Sequence, residues 1–254
     1  MDLTLTGRRV IITGGSSGIG RASALSFAAE GAHVGIISRD DVGMARTCEL
    51  AAEQGFALAR ATADVTDAPA LERAFASLAQ QLGGVDAVVH CAAISGPVGR
   101  SLADVSVDDI RQTIDINVVG AFLVARTAQP LLAQATLPTL VMIGSDSAFV
   151  ASPDMVVYNA SKAAIVHMAS SLAVEWEPDG IRVNTVSPSI VDTPMSRADL
   201  GIGVEGFAGV DFPVLSADDV ARAVLYLSSS ASRGVNGHTL LMDFGYSARS
   251  SFPA

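Results

Sequence analysis

Tyr158 and Lys162 are two residues whose types and spacing suit proton transfer. They lie four positions apart in VVYNASKAAIVHMASSLAV, a helical pattern that puts both side chains on one face. A tyrosine hydroxyl can protonate a carbonyl oxygen or deprotonate an alcohol, and a nearby ammonium favours phenolate and lowers the tyrosine pKa. The pair therefore predicts acid/base chemistry at a carbonyl or secondary alcohol. A stacked pair on the helix surface is the alternative.

Lysine usage favours the chemical role. The chain has 16 basic residues, and Lys162 is the only lysine among them. An ordinary surface charge in this sequence is therefore an arginine, whereas a compact ammonium places its donors where a longer, planar guanidinium does not. This bias indicates that position 162 needs an ammonium.

Two further polar residues are candidates for the same site. Ser145 follows the apolar run 140–143, thirteen residues before Tyr158, and strand ends of this kind face the ligand crevice. Ser145 is therefore a candidate to hydrogen-bond the substrate oxygen, with Ser147 or a simple turn serine as alternatives. Asn117 interrupts the apolar run IDINVVGAFLVA, which either a function or a helix kink explains.

A glycine-rich turn after the first apolar run predicts pyrophosphate binding. Glycine permits close backbone approach, and the N–H groups at a helix start attract anions. An ordinary glycine-rich turn is the alternative. The turn also fits G-x-S-x-G of serine hydrolases, but that motif follows several strands in its fold and a single strand precedes it here. The cofactor contacts predicted in the turn are Gly14, Ser16, Ser17, Gly18, Ile19 and Gly20.

The end of the second apolar run predicts the type of dinucleotide. Ser38 and Arg39 stand about 20 residues beyond the turn, where such a fold meets the adenosine ribose. A guanidinium suits a 2'-phosphate, so NADP(H) is favoured, although Arg39 is also explained as a solvated loop charge. Asp40 and Asp41 follow directly, and a shift of one residue in the turn brings a carboxylate to the ribose, which keeps NAD(H) as the alternative.

The elements that must position these residues alternate along the chain. Strands are predicted at RRVIIT, HVGIIS and residues 57–61, 87–91, 140–144, 182–186 and 239–242, with helical segments between most of them. Such alternation predicts an α/β fold, a doubly wound parallel sheet of about seven strands with helices on both faces. The 254 residues suit one core, so a single domain, 1–254, is expected, with a glycine-rich substrate lid at 194–213.

Charge and composition exclude several classes of function. The formal net charge of -10 disfavours nucleic acid and anionic membrane surfaces as partners. No apolar run approaches the roughly 20 residues of a membrane span, and no secretory signal pattern begins the chain, so a cytoplasmic protein is expected. Cys48 and Cys91 are far apart and lack metal-ligand spacing, so neither a disulfide nor a metal site is predicted.

Taken together, these motifs resemble the short-chain dehydrogenase/reductase family from about residue 7 to residue 245. The glycine-rich turn matches its T-G-x-x-x-G-x-G motif, and Asn117, Ser145, Tyr158 and Lys162 match its catalytic tetrad. The resemblance implies a Rossmann-type fold, with Tyr158 as acid/base and Ser145 polarising the substrate oxygen. It also implies that Lys162 holds the nicotinamide ribose and tunes Tyr158, and that Asn117 supports a water relay.

The resemblance implies further dinucleotide contacts and a homotetramer. The additional contacts are Asp64, Val65, Cys91, Ala92, Ala93, Pro188, Ser189, Ile190, Val191 and Thr193. Three segments depart from the family pattern: residues 90–93 read HCAA where the family has NNAG, residues 188–189 read PS for PG, and residues 243–245 read DFG for DGG.

These observations predict an NAD(P)-dependent oxidoreductase that moves a hydride between NADP(H) and a carbonyl or secondary alcohol. A small, largely uncharged substrate is expected, because the predicted cavity lining is mostly apolar. That lining comprises Ile94, Ser95, Asp146, Ser147, Val191 and Met195. The alternatives are an NAD-dependent alcohol dehydrogenase of the same fold and a non-catalytic protein that binds NADP as a sensor.

Overall fold

A parallel sheet of seven strands forms the centre of the computed structural model, which describes residues 3–203 and 205–249. The strands are β1 (Arg9–Thr13), β2 (His33–Ser38), β3 (Leu58–Thr62), β4 (Ala87–His90), β5 (Thr139–Ile143), β6 (Arg182–Pro188), a short pair formed by β7 (Val191–Asp192) and β8 (Leu215–Ser216), and β9 (Thr239–Met242). The main sheet has the order β3-β2-β1-β4-β5-β6-β9. The direction of winding reverses between β1 and β4, and ligands bind at such a reversal.

Helices cover both faces of this sheet. They are α1 (Gly18–Ala29), α2 (Asp41–Glu53), α3 (Ala68–Leu82), α4 (Val107–Ile114), α5 (Gly120–Leu132), α6 (Val156–Glu175), α7 (Pro194–Asp199) and α8 (Ala217–Ser228). Buried side chains of α3, α5 and α6 form one apolar core, and those of α1, α2 and α8 form the other. The predicted doubly wound α/β fold is therefore confirmed.

The alternating side chains of each strand explain the two cores. In β1, Ile11 packs into the first core, with Phe75 of α3, whereas Val10 and Ile12 pack into the second, with Phe27 of α1. A strand buried on both faces must be apolar throughout, because successive side chains point to opposite sides. This requirement explains why the strands read as continuous β-branched runs.

Two local features add detail to the sequence expectation. The first six residues of the predicted lid, 194–213, form α7, which Thr193 caps by accepting a hydrogen bond from Ser196 N. Val204, within that lid, lies outside the described residues. Between α4 and α5 the chain makes a π-helical turn, Asp115–Val119, which contains Asn117. Such turns often occur at functional sites.

Across the described ranges, no helix has both the length and the apolar character that a membrane span requires.

Candidate active site

A cavity of about 780 Å³ opens at the carboxyl ends of β1, β4, β5 and β6. All the residues predicted to contact the cofactor line it, from the glycine-rich turn to Thr193, as do the six predicted for the substrate. Ser145, Tyr158 and Lys162 of the predicted tetrad also line it, whereas Asn117 lies behind its wall. The fold thus brings segments from six parts of the chain to one crevice.

Tyr158 projects from the first turn of α6 into this cavity. Burial raises the pKa of its hydroxyl to about 12, and the charges of Asp146 and Asp199 act in the same direction, while a hydrogen bond with Ser145 opposes them. Lys162 Nζ lies 5.6 Å from the centre of the Tyr158 ring and donates its hydrogen bond to the Ile143 carbonyl. The tuning of Tyr158 by this ammonium stays a prediction.

Lys162 is buried, with 4% of its surface exposed, so the alternative of a surface pair with Tyr158 is wrong. Its ammonium donates a hydrogen bond to the Ile143 carbonyl at the end of β5, at 2.9 Å. Burial lowers the pKa of Lys162 to about 8, because a charge loses its hydration inside the protein. The ammonium is thus held at one point in the cavity lining by its bond to the Ile143 carbonyl.

Ser145 follows β5 and caps the short turn Asp146–Ala148. Its Oγ accepts a hydrogen bond from Ser147 N at 3.2 Å and donates one to Asp146 Oδ1 at 3.0 Å. The capping role fixes the position of the Ser145 hydroxyl within reach of Tyr158. Ser147, the competing candidate, makes no such contact with Tyr158.

Asn117 is buried in the π-helical turn, and its side-chain amide is fully bonded. Oδ1 accepts from Ile94 N at 2.8 Å, while Nδ2 donates to Ile94 O at 2.8 Å and to Ser161 Oγ at 3.0 Å. The amide therefore ties the loop after β4 to α6, one turn from Tyr158. Both N–H groups are used, so the side chain positions the cavity wall; the water relay stays a prediction.

The glycine-rich turn is shaped to hold a pyrophosphate. A Cβ atom at Gly14 would lie 2.8 Å from Ala92 N, and one at Gly20 would lie 2.2 Å from Gly14 O, so both positions need glycine for close backbone approach. Ser17 begins α1 without a side-chain capping bond, which leaves the N–H groups of the first turn open to an anion. These residues fit the diphosphate of a dinucleotide.

The hydrolase interpretation of this turn is wrong. Ser16, the would-be nucleophile, accepts a hydrogen bond from Ser38 Oγ at 3.1 Å, and among the described residues no histidine forms a hydrogen bond with it. A serine nucleophile requires a base within hydrogen-bond distance.

The ribose end of the cavity has one exposed guanidinium and two engaged carboxylates. Arg39 is 61% exposed and lies 3.5 Å from Asp64, a loose contact. Asp40 caps α2 by accepting from Gly43 N at 2.9 Å, and Asp41 pairs with Arg60 at 3.2 Å. The acidic residues that kept NAD(H) as an alternative therefore already have partners.

Two residues of the first departure from the family pattern, 90–93, have structural consequences beside the cavity. His90 is buried and bonds through Nδ1 to Thr13 Oγ1 at 2.8 Å. Burial lowers the His90 pKa to about 3, so the ring is a neutral hydrogen-bonding group that joins β1 to β4. Burial also raises the pKa of the Cys91 thiol to about 12, so Cys91 is not a thiolate nucleophile at neutral pH.

Phe244, the third departure, has a strained backbone. Its φ is +56°, a conformation that favours glycine, and its side chain is 54% exposed at the cavity. Such strain in a non-glycine residue costs about 1–3 kcal/mol and is concentrated at functional sites. Tyr246 lines the same edge of the cavity.

Phe244→Gly is expected to raise the melting temperature by about 2–4 °C, because glycine removes roughly 1 kcal/mol of strain. Phe244→Ala is the matched control, since it removes the ring but keeps a Cβ at positive φ. Thermal melts of the three proteins measure the effect. A Phe244→Gly protein that melts no higher than the alanine variant would show that the backbone is unstrained.

Asp199 faces the substrate side of the cavity, although the sequence did not indicate it as a site residue. Asp199, the last residue of α7, accepts a hydrogen bond from Ser95 Oγ at 2.8 Å, joining the lid to the loop after β4. These residues are 104 positions apart, so no local pattern indicates the contact. Arg197, also on α7, pairs with Asp192 at 2.5 Å and does not line the cavity.

Comparisons with known proteins agree with this geometry. The sequence matches the profile of a family described as Enoyl-(Acyl carrier protein) reductase over residues 14–247. Short-chain dehydrogenase srdC of Neurospora crassa is 34% identical over 269 residues, covering 96% of this chain and 97% of its own. Borneol dehydrogenase, mitochondrial, of Lavandula x intermedia is 34% identical over 244 residues, covering 96% of this chain and 92% of its own.

A solved structure is also similar. A short chain dehydrogenase from Burkholderia cenocepacia J2315 in complex with NADP is 32% identical, with a TM-score of 0.85, covering 96% of this chain and 99% of its own. The chain therefore belongs to the short-chain dehydrogenase/reductase family.

Proposed function

We propose that this protein is an NADP-dependent dehydrogenase/reductase that interconverts a secondary alcohol and its carbonyl compound through Tyr158. As a family member it is an NAD(P)-dependent oxidoreductase acting on CH–OH or C=O groups. The observation that carries the specific proposal is the contact of Tyr158 with Ser145 inside the cavity that begins at the phosphate-binding turn. A non-catalytic NADP sensor has no need for a buried tyrosine, serine and lysine at this place.

In this proposal, Tyr158 supplies the proton and Ser145 orients the reacting oxygen. A hydroxyl with its pKa raised to about 12 stays protonated at neutral pH, so Tyr158 is a ready acid for carbonyl reduction. Bound nicotinamide supplies or accepts the hydride. Lys162 holds its ammonium beside the cavity, positioned for the ribose hydroxyls, and Asn117 holds the wall in place. Broad steady-state assays with NADPH and a panel of ketones test the function; binding without turnover of any of them would favour the sensor.

NADP is favoured over NAD because of the side chains at the end of β2. Ser38 and the exposed, loosely held Arg39 are available for a 2'-phosphate, whereas Asp40 and Asp41 already have partners. One solved relative is described in complex with NADP. The dinucleotide then extends along the predicted contacts from the turn to Thr193.

Arg39→Ala is expected to weaken NADPH binding at least about tenfold and to leave NADH binding nearly unchanged, because a guanidinium–phosphate bond contributes about 1.5–3 kcal/mol. Fluorescence titration with both cofactors measures the two affinities. Arg46→Ala, an exposed arginine on α2 that pairs with Glu49, is the matched control. Equal affinities of the unsubstituted protein for NADPH and NADH would contradict the cofactor assignment.

For the substrate we propose a chemical class, and for the assembly a homotetramer. One curated relative is named for the alcohol borneol, and the cavity wall is largely apolar, which supports a small organic alcohol or ketone. A homotetramer is proposed because Val119 and Phe122, near the start of α5, are 42% and 53% exposed and suit a subunit interface. The cytoplasmic location remains an expectation from composition.

A further inference from the structure

Two carboxylates, Asp146 and Asp199, face the cavity of Tyr158 from different elements. Asp146 begins the short turn after β5, and Asp199 ends α7 on the lid side. Both line the cavity and both lie close enough to affect the Tyr158 hydroxyl electrostatically. Within residues 3–203 and 205–249, neither forms an ion pair, since Arg197 pairs with Asp192. The substrate side is therefore more acidic than its apolar wall indicates.

Asp146 accepts the hydrogen bond that Ser145 would have to donate to a substrate. Ser145 Oγ donates to Asp146 Oδ1 at 3.0 Å, and a hydroxyl has a single proton. While this bond persists, Ser145 cannot donate to the reacting oxygen of a substrate. A substrate donor that takes the place of Ser145 on Asp146 Oδ1 would free the Ser145 proton to point at the reacting oxygen.

The position of this second donor follows from the geometry. Ser145 Oγ and Asp146 Oδ1 are 3.0 Å apart, so one substrate can reach both with two polar groups that are close neighbours. Two substituents on adjacent carbon atoms meet this condition. The donor is then one carbon away from the reacting oxygen.

We infer that this enzyme selects substrates with a hydrogen-bond donor, a hydroxyl or an ammonium, on the carbon next to the reacting one, and that Asp146 binds that donor. The inference rests on the proposed function. Asp199 adds negative charge to the same cavity, so a carboxylate at the neighbouring carbon is disfavoured by repulsion. Asp146 contacts Ser145, which orients the reacting oxygen, whereas Asp199 contacts Ser95, so Asp146 is the receptor beside the reacting carbon.

Four ring alcohols that differ in one substituent test this selectivity. They are cyclohexanol, 1,2-cyclohexanediol, 2-aminocyclohexanol and 2-hydroxycyclohexanecarboxylate. In each, the reacting carbon loses a hydride to NADP⁺ and its hydroxyl loses a proton to Tyr158, giving the ketone and NADPH. We expect kcat/KM to be at least about tenfold higher for the diol or the amino alcohol than for cyclohexanol, and lowest for the carboxylate.

The diol and the amino alcohol distinguish the two kinds of donor. If kcat/KM is higher for the amino alcohol than for the diol, the selectivity is due to charge. If it is higher for the diol, the selectivity is due to the neutral hydroxyl donor.

Substitution of Asp146 shows whether this carboxylate is the receptor. Asp146→Ala is expected to make kcat/KM for the diol nearly equal to kcat/KM for cyclohexanol. A damaged fold would lower both values and leave their ratio unchanged. Asp146→Glu is expected to restore part of the preference for the diol. Asp108→Ala, at a side chain that is 95% exposed on α4, is the matched control and keeps it.

Three outcomes overturn the inference. Equal kcat/KM for cyclohexanol, the diol and the amino alcohol would exclude the donor preference while leaving the proposed function intact. A preference that survives in Asp146→Ala would exclude Asp146 as its cause. No turnover of any of these alcohols or of their ketones would reject the proposed function, and this inference with it.

Discussion

Tyr158→Phe is expected to lower turnover by about 10²–10⁴-fold while NADPH affinity changes by no more than a few-fold. The hydroxyl transfers the proton, whereas the ring only packs against the cavity wall, so loss of the oxygen removes a step without removing a binding contact. Steady-state rates and a cofactor titration measure the two quantities. Tyr226→Phe, on α8 and remote from the cavity lining, is the matched control and keeps normal turnover.

The pH profile of the unsubstituted enzyme gives a second readout. Because burial raises the Tyr158 pKa to about 12, its acid form dominates from pH 6 to pH 9. Carbonyl reduction is therefore expected to be nearly flat from about pH 6 to pH 7 and to decline only as Lys162, whose pKa burial lowers to about 8, loses its proton. Alcohol oxidation uses the phenolate, whose population rises with pH, so its rate is expected to increase over the same range. Comparable turnover in Tyr158→Phe, or reduction that falls steeply from pH 6, would reject Tyr158 as the acid/base.

Lys162→Arg is expected to lose at least about two orders of magnitude in turnover, roughly 2.7 kcal/mol of barrier, although the charge is kept. The ammonium is buried and bonded to the Ile143 carbonyl at 2.9 Å, and a longer, planar guanidinium cannot occupy that point without displacing its donors. Steady-state rates with thermal melts separate chemistry from folding. Near-normal turnover would show that charge alone suffices.

Lys162→Met keeps most of the side-chain volume and removes the charge. The stability of this variant therefore shows what the buried charge costs the fold. Burial lowers the Lys162 pKa from 10.5 to about 8, so the folded state disfavours the ammonium and the methionine variant is expected to be about 2 kcal/mol more stable at pH 7. Between pH 8 and pH 10.5 the unfolded chain binds more protons at this site than the folded protein, so the unsubstituted enzyme gains stability as pH rises. The difference in the free energy of unfolding between Lys162→Met and the unsubstituted protein therefore becomes smaller between pH 8 and pH 10.5. A less stable Lys162→Met protein at pH 7 would contradict the cost of burying this charge.

Much of the fold follows from the sequence because its signals are local. Each strand that is buried on both faces must be apolar throughout, so runs such as RRVIIT and HVGIIS are visible without tertiary information. The glycine-rich turn is equally local, since Gly14 and Gly20 are required by contacts that the turn makes with itself and with the neighbouring loop. The helix that begins the predicted lid is also local, because Thr193 caps α7 before the glycines begin.

The sequence also determined which side chains are candidates for the site. The Tyr158–Lys162 spacing and the single lysine are visible in the chain itself, and both residues line one cavity with Ser145. Their order along the chain does not reveal their surroundings. Electrostatic properties depend on groups from distant segments, and those groups are assembled only when the sheet and its helices pack.

Tertiary structure alone decided the electrostatics and the polarity of the cavity. The Tyr158 pKa rises because burial, together with the charges of Asp146 and Asp199, outweighs the hydrogen bond with Ser145. Asp199 reaches the cavity only because α7 packs across it and bonds Ser95, 104 positions earlier. Local spacing specifies which groups can react, whereas burial and through-space charge, which set how they react, exist only in the folded chain.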